Sequence, residues 1–464
     1  MNLRFKRLSA LVFSLIFTLD SSAAFAMARF PSEEPVLQRN ESASVESQTM
    51  NFEKFIEISL RRSEAVKSSR EEIKIARART LQALGDAIGD GDFVITNTYQ
   101  EEQAQSPVGG APDNSTSTAR AAHRRERKFS FSQPLFQGFK SVGALLGAGS
   151  LKGQRKEEYD LAKEDLFLEA AQAFYALLSA EKNLAILDES KKLFEERIRD
   201  LSEREKIGRS RPGEVAMARA KMKVLEARIA KARGTLLSAQ SLAWFYSGVS
   251  RMKADDEDPE TFSETLDIDP DHYSEIAENR SDVAAARNAM NTAKQTIVVK
   301  QSAIWPQINL SANQYEKREG FQDGISWDAL ITMNVPLYRG GDNLGQVLEA
   351  QALYRKTQWN YRLVQKMAML EIEQTHQDWI ASREQHRAYQ AAVEASQENF
   401  NYQKEDYSKN LVSNLDVLAA LEELLTIREE ANATLYAMKS NYWRLQIAAS
   451  SKVPDWADPS GKKK

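Results

Sequence analysis

Four histidines, His123, His272, His376 and His386, are scattered along the 464 residues. Glu373-Gln374-Thr375-His376 has the Glu-x-x-His spacing with which helical bundles hold a di-iron centre. That chemistry needs a second Glu-x-x-His from another helix, and the sequence has none, so no metal set is expected. Phosphate-cradling P-loops, dinucleotide fingerprints and Gly-x-Ser-x-Gly elbows are also missing. The sequence therefore carries no expectation of a catalytic residue or a cofactor, and energy for any work has to come from a partner. What remains is the chemistry of surfaces: short stretches that alternate polar and apolar residues, and a few charges beside turns.

The alternation is clearest at 327–337. Trp327, Ala329, Ile331, Met333, Val335 and Leu337 fall on one face of an extended chain, and Ser326, Asp328, Thr332 and Asn334 on the other, with Leu330 out of character. Phe129, Phe131 and Leu135 oppose Ser130 and Ser132, and Ile308, Leu310 and Ala312 oppose Asn309, Ser311 and Asn313. One oily and one wet face over about ten residues fits a barrel strand between lipid and water; a half-buried antiparallel sheet shows the same alternation. The predicted lipid-facing set is Phe129, Phe131, Ile331, Met333 and Val335. Tyr99, Phe136, Trp305, Tyr315, Trp327 and Tyr338 lie near the strand ends, where an aromatic girdle belongs.

These strands sit in a duplicated design. Gln133-Pro134-Leu135-Phe136-Gln137-Gly138 matches Val335-Pro336-Leu337-Tyr338-Arg339-Gly340, with Pro134 and Pro336, and Gly138 and Gly340, each 202 positions apart. Gly208 and Asn410, and Glu214 and Asp416, keep the same offset, which argues for internal repetition. Repeat 1 spans 51–249: a helix at about Asn51–Ala87, strands at 92–102 and 127–136, a long helix at about Lys140–Lys206, a turn at 207–213 and a return helix at about Glu214–Tyr246. Repeat 2 spans 273–450: a helix at about Tyr273–Ala303, strands at 305–317 and 325–338, a long helix at about Asn343–Lys409, a turn at 410–414 and a return helix at about Leu415–Ala449. Gln103–Arg125, rich in Gly, Pro, Ser and Ala, reads as a loop. Residues 27–50 and 451–464 read as a linker and a tail. The 250–272 segment, with Asp255, Asp256, Glu257, Asp258 and Glu260, reads as a solvated acidic linker.

Helices of this length would each run roughly 100 Å, too long for a globular core. The return helices carry a 3.5-residue seam: Ala218, Met222, Leu225, Ile229, Ala232, Leu236, Ala239 and Ala243 in one, and Val417, Leu421, Leu424, Arg428, Ala431, Leu435, Met438, Tyr442 and Leu445 in the other. Residues 1–26 read as a signal peptide, with Arg4, Lys6 and Arg7 before an apolar Leu8–Leu19 stretch and Ala24-Phe25-Ala26 at a cleavage site. Its removal would take the formal net charge from −4 to about −6, which gives no reason to expect a nucleic-acid partner. The chain has no cysteine, so stability must come from packing or assembly. Four strands cannot close a barrel in lipid, so the barrel reading requires a ring of copies.

The paired strand-to-helix motifs QPLFQGFKS and VPLYRGGDN, the turn motifs IGRSRPGEV and KNLVSNLDVL and the repeat order resemble the TolC-like outer-membrane efflux proteins over about residues 50–450. The resemblance implies a mainly α fold with a small transmembrane β part. Three protomers, four strands each, would form a 12-stranded β-barrel in the outer membrane, continuous with a coiled-coil helical barrel in the periplasm. It implies a homotrimeric exit duct for solutes or proteins, serving efflux or type I secretion. The partners would be outer-membrane lipid, a periplasmic adaptor (membrane fusion) protein and an inner-membrane pump. Docking tips would be Gly208, Arg209, Ser210, Asn410, Leu411, Val412 and Ser413. The periplasmic entrance would be lined by Asp416 and Glu214, with Tyr407 matching a gating tyrosine. Ala419 stands where a second acidic ring is expected, and Val412 where some members carry a basic partner. The alternative class is a periplasmic coiled-coil adaptor or scaffold, which would show one hairpin between lipoyl-like and β-barrel flanks instead of two hairpins.

Overall fold

A computed structural model describes residues 49–99, 123–250, 252–256, 269, 272–319, 324–450 and 452–457. The signal peptide, residues 103–122 of the expected loop and Glu257, Asp258 and Glu260 of the acidic linker lie outside these. Along the chain come β1 (Thr49–Met50), α1 (Phe52–Arg62), α2 (Glu64–Ile88), β2 (Asp90–Tyr99), β3 (His123–Gln137), α3 (Lys140–Lys206), α4 (Pro212–Ser247) and β4 (Lys253–Ala254). The second half holds α5 (Tyr273–Glu278), α6 (Ser281–Gln301), a 3₁₀ turn (Ser302–Ile304), β5 (Gln307–Arg318), β6 (Trp327–Asn334), α7 (Asp342–Ser408), α8 (Asn414–Ser450) and a last 3₁₀ turn (Asp455–Ala457).

The 67-residue helices α3 and α7 are each about 100 Å long. Near the strands, the helices pack side by side in the order α2, α3, α6, α7; toward the turns the order is α4, α3, α8, α7. The α4 seam is buried from Ala218 through Ala243 as its period requires, with Leu236 partly covered. Helix α8 buries two faces, because it lies between α3 and α7. Leu418, Leu425, Tyr436 and Trp443 are covered as well as Val417, Leu421, Leu424 and Leu445. Arg428, the misfit of the α8 seam, bridges those neighbours through Glu189 (3.2 Å) and Gln397 (2.6 Å).

Two helices expected to be continuous are broken. Ser63 leaves the helical region (φ −50°, ψ 124°), and its hydroxyl accepts the Val66 N–H, capping α2. The break lets α1 turn Phe52, Phe55, Ile56 and Leu60 into a belt around the middle of the long helices. There Phe52 stacks on Tyr175 and Trp443, with Phe167, Phe174, Trp379, Tyr436 and Trp456 in the same cluster. Repeat 2 breaks at Asn279–Arg280, between α5 and α6. The segments expected to be linkers help close this belt: β1 pairs in parallel with β4, and Trp456 packs on Phe52 and Phe167. Asp256 is not merely solvated. It reaches the buried Lys439 ammonium (3.3 Å) and the Tyr436 hydroxyl (3.1 Å).

The four longer strands form one antiparallel sheet in the order β2-β3-β5-β6, so the hairpins of the two repeats join through β3 and β5. The strand bounds differ from expectation mainly at the ends. His123–Arg125 belong to β3, not to the loop, and β6 ends at Asn334, four residues before Tyr338.

Candidate functional site

The sheet has two chemically different faces, and its register defines them, because directly paired residues share a face. One row runs Phe131, Ala312, Ala329; another runs Phe93, Phe129, Gln314, Trp327; Leu310 pairs with Ile331 and Ile308 with Met333. Phe129, Phe131, Ile331 and Met333 therefore stand on one apolar face. Val335 lies one residue beyond β6 and is not part of the ladder. The opposite face carries Asp92, Ser130, Asn313 and Asp328 in one row and Ser132, Ser311 and Leu330 in the next. Asp328 accepts hydrogen bonds from the Asn313 amide (2.7 Å) and the Tyr315 hydroxyl (2.7 Å), and Arg318 lies 3.7 Å from it. Tyr315 is thus on the polar face and not in a lipid-side girdle; its hydroxyl suits it to a wet wall.

Each repeat passes from strand to helix through two consecutive left-handed residues, Gly138 (φ +59°) and Phe139 (+67°), then Gly340 (+59°) and Gly341 (+87°). Gly138 lies against the end of α6. A Cβ there would sit 2.6 Å from the Trp305 Cβ and 2.8 Å from the Ser302 carbonyl, so only glycine fits. Gly340 has the same backbone, yet nothing among the described residues lies within 4 Å of its Cβ position. Pro134 in β3 falls at a register irregularity, where a missing N–H is tolerated. Pro336 lies past the end of β6.

At the other end of the helices, the two turns are built alike. Gly208 (φ +75°) and Asn410 (+61°) take the left-handed position, and the Arg209 and Leu411 N–H groups reach back to Arg204 (2.8 Å) and Asp406 (2.9 Å). Arg209 and Leu411 are exposed, while Val412 packs on the cluster formed by Leu201, Val215 and Leu418. Ser210 donates to Glu214 (2.6 Å). Asp416 closes a capping box at the start of α8: its carboxylate accepts the Ser413 N–H (2.8 Å) and hydroxyl (2.7 Å), and those bonds hold it below the ordinary carboxylate range.

Tyr407, expected in a gating network, is buried between two guanidinium groups that sequence reasoning did not single out. Arg197 lies 3.9 Å and Arg204 4.8 Å from its ring centroid, and Asp200 bonds both arginines. Arg197 also donates to the Asn414 side-chain carbonyl (2.9 Å), tying α3 to the start of α8. The seven-residue spacing of Arg197 and Arg204 on one helix face was a legible signal. Glu373 and His376 do not converge: Glu373 is exposed, whereas the buried His376 shares a hydrogen bond with the Tyr273 hydroxyl. Midway along the helices, the Arg280 guanidinium is buried at the α5–α6 break and bonds Asp282 (3.1 Å) and Glu371 (2.6 Å). Beside it the buried Glu164 accepts the Ser281 hydroxyl (2.8 Å); desolvation pushes this carboxyl up to about 7.

The family model described as "Outer membrane efflux protein" matches residues 272–449, from α5 to the end of α8. Over that stretch the chain resembles the outer membrane efflux proteins. It is similar to the outer membrane efflux protein BepC of Brucella suis, 22% identical over 301 residues, which cover 64% of this chain and 65% of BepC. It is also similar to the outer membrane protein TolC of Vibrio cholerae, 21% identical over 323 residues, covering 67% of this chain and 72% of TolC. The match to BepC thus spans just under two thirds of that protein's length. In fold, the chain superimposes on the outer membrane protein VceC of Vibrio cholerae with a TM-score of 0.73 and 20% identity, over 86% of this chain and 96% of VceC.

Proposed function

We propose that three copies of this chain close a 12-stranded β-barrel in the outer membrane, continuous with a helical barrel in the periplasm. The assembly is a passive exit duct for solutes or proteins. The observation that carries this reading is the sheet: one face apolar, the other polar, its ends fused to 100 Å helices, and its outer strands β2 and β6 each with one edge unpaired among the described residues. Gly340 supports the ring. The contact that Gly138 makes with the second repeat is left unmade at Gly340, as expected if the first repeat of the next copy supplies it. The flanking helices agree. Helix α7 exposes Leu344, Leu348, Trp359, Leu363, Met367 and Leu370 along one edge, and α2 at the opposite edge exposes Ile75, Leu81, Leu84 and Ile88.

The duct has no energy source of its own, so a periplasmic adaptor and an inner-membrane pump load it, and the adaptor docks on the paired tips at Gly208–Ser210 and Asn410–Ser413. The Arg197–Tyr407–Arg204 stack, which fastens one hairpin to the other, is the contact to release when the entrance widens. Three copies of Asp416, with Glu214, set a cation preference there. The test is purification from outer membranes followed by gel migration and planar-bilayer recording. Detergent-resistant, heat-modifiable trimers that conduct ions support the duct. Soluble periplasmic oligomers without conductance would return the chain to the adaptor or scaffold class.

A further inference from the structure

Beyond the apolar rows, at the end of the sheet distal to the helices, the outward face turns basic. The pairing continues from Phe93–Phe129 to Ile95–Arg127 and Asn97–Arg125, and Lys317 pairs with Arg127 across β3 and β5. Arg125, Arg127 and Lys317 therefore share the face of Phe129, Phe131 and Ile331, and they are the first cations met on leaving it. All three are exposed. The Arg125 side chain has no ion-pair partner among the described residues. Arg127 stands 3.7 Å from Glu316, outside hydrogen-bond reach, and only Lys317 is closely paired, with Glu319 (2.6 Å). Glu319 also accepts the Arg125 backbone N–H (2.9 Å). The inward face at the same height also carries cations, with Lys128 3.1 Å from Glu126, Arg318 3.7 Å from Asp328, and Arg124 beside them. The outward face thus holds two guanidinium groups, Arg125 and Arg127, with no carboxylate in hydrogen-bond reach among the described residues, on the same face as Tyr99.

We propose that Arg125, Arg127 and Lys317 form an outward basic collar that binds the phosphates of the phosphorylated glycolipid in the outer leaflet. The inference rests on the barrel reading, which puts the hairpin end of the sheet at that leaflet. Charge complementarity selects the occupant. Guanidinium groups bind phosphate oxygens bidentately, and a lipid surface dense in phosphate gains from each added cation. The collar is continuous with the apolar band, so a single lipid can bury its chains on Phe93, Phe129 and Phe131 while its phosphates reach Arg127 and Arg125. Three protomers would display the collar around the whole rim and fix the depth of the barrel.

The test uses the purified, full-length trimer in detergent, with diphosphorylated lipid A as the probe and phosphatidylglycerol as the comparison. Binding is read by native mass spectrometry. The R125Q/R127Q/K317Q variant is expected to bind lipid A at least about tenfold more weakly, and added salt should weaken wild-type binding. R124Q, on the inward face, should bind as wild type. Unchanged lipid A binding by the triple variant overturns the collar, and so does wild-type binding of phosphatidylglycerol as tight as that of lipid A. If the triple variant fails to assemble, R125Q alone is measured, since its side chain leaves no broken ion pair. Detergent-resistant trimers and bilayer conductance, followed in parallel, separate the two readings. Loss of the collar with conductance intact leaves the duct standing, whereas a wild type that forms no channel removes both.

Discussion

Replacing Glu164 with Gln should stabilise the helical region above neutral pH and flatten its pH dependence. Glu164 faces Arg280 and Asp282 at the start of α6 and Asp160 on its own helix, with Asp165 and Glu371 close to the same guanidinium. Desolvation dominates, so the carboxyl rises from 4.5 to about 7. A folded-state value above the unfolded one means that the native protein binds the proton more tightly. Stability from this group is therefore complete below about pH 4.5 and is lost as pH rises through about 7. At about 1.4 kcal/mol per tenfold change in proton affinity, the loss is about 3 kcal/mol across that window. Gln keeps an oxygen for the Ser281 hydroxyl and carries no charge to desolvate, while Arg280 retains Asp282 and Glu371. Thermal melting by circular dichroism and amide exchange at Val283–Ala285 should show wild type and E164Q alike at pH 4.5, and E164Q more stable and slower to exchange at pH 8. Equal exchange and melting at pH 8, or an unaltered pH slope in E164Q, would refute the reasoning.

Other consequences concern the wall and the tips. Met333→Arg should destabilise membrane insertion by roughly 2–4 kcal/mol if it lies near the midplane. Asn334→Arg, on the polar face, should be tolerated, and equal tolerance of both would reverse the assigned faces in a membrane-assembly assay. Gly208→Trp places a bulky side chain at φ +75° on a proposed docking tip; it should abolish export while leaving trimers and insertion intact, as read by export and gel assays together. Asp416→Asn should lower cation preference in single-channel recording. An unchanged reversal potential would leave Asp416 with its capping role alone.

The sequence made the alternating faces and the long helices legible because both are periodic: a two-residue period assigned Phe129, Phe131, Ile331 and Met333, and a 3.5-residue period assigned the α4 seam. The aromatic belt was not legible, since Met50, Ala254 and Trp456 come from segments whose composition reads as linker or tail and which meet only in three dimensions. The helix breaks at Ser63 and Asn279–Arg280 serve tertiary contacts, and a local pattern does not reveal those. Asp416 was readable in two ways. Ser413-x-x-Asp416 is a capping box, and the structure makes those bonds, which leaves any part in ion selectivity to be earned by experiment. Tyr315 was grouped with the girdle by residue type, although its odd number already placed it with Asn309, Ser311 and Asn313.

The central claim is that β6 of one copy pairs with β2 of the next. Gln307 pairs with Asn334 as Asp90 pairs with Ser132, so the first strand of each repeat is related by 217 positions and the second by 202. The internal pair Ser130–Asn313 then maps onto Thr332 and Thr96 of neighbouring copies, both on the polar face. Within one chain these two threonines sit on opposite edges of the sheet, three strand spacings apart across it and about eight residues apart along it, roughly 30 Å in all and too far for a disulfide. In this cysteine-free protein, T96C/T332C should form covalent trimers on mild oxidation in outer membranes, seen on non-reducing gels after boiling, with little crosslinking by either single variant. Monomers only, from a double variant that still reaches the membrane, would contradict the account.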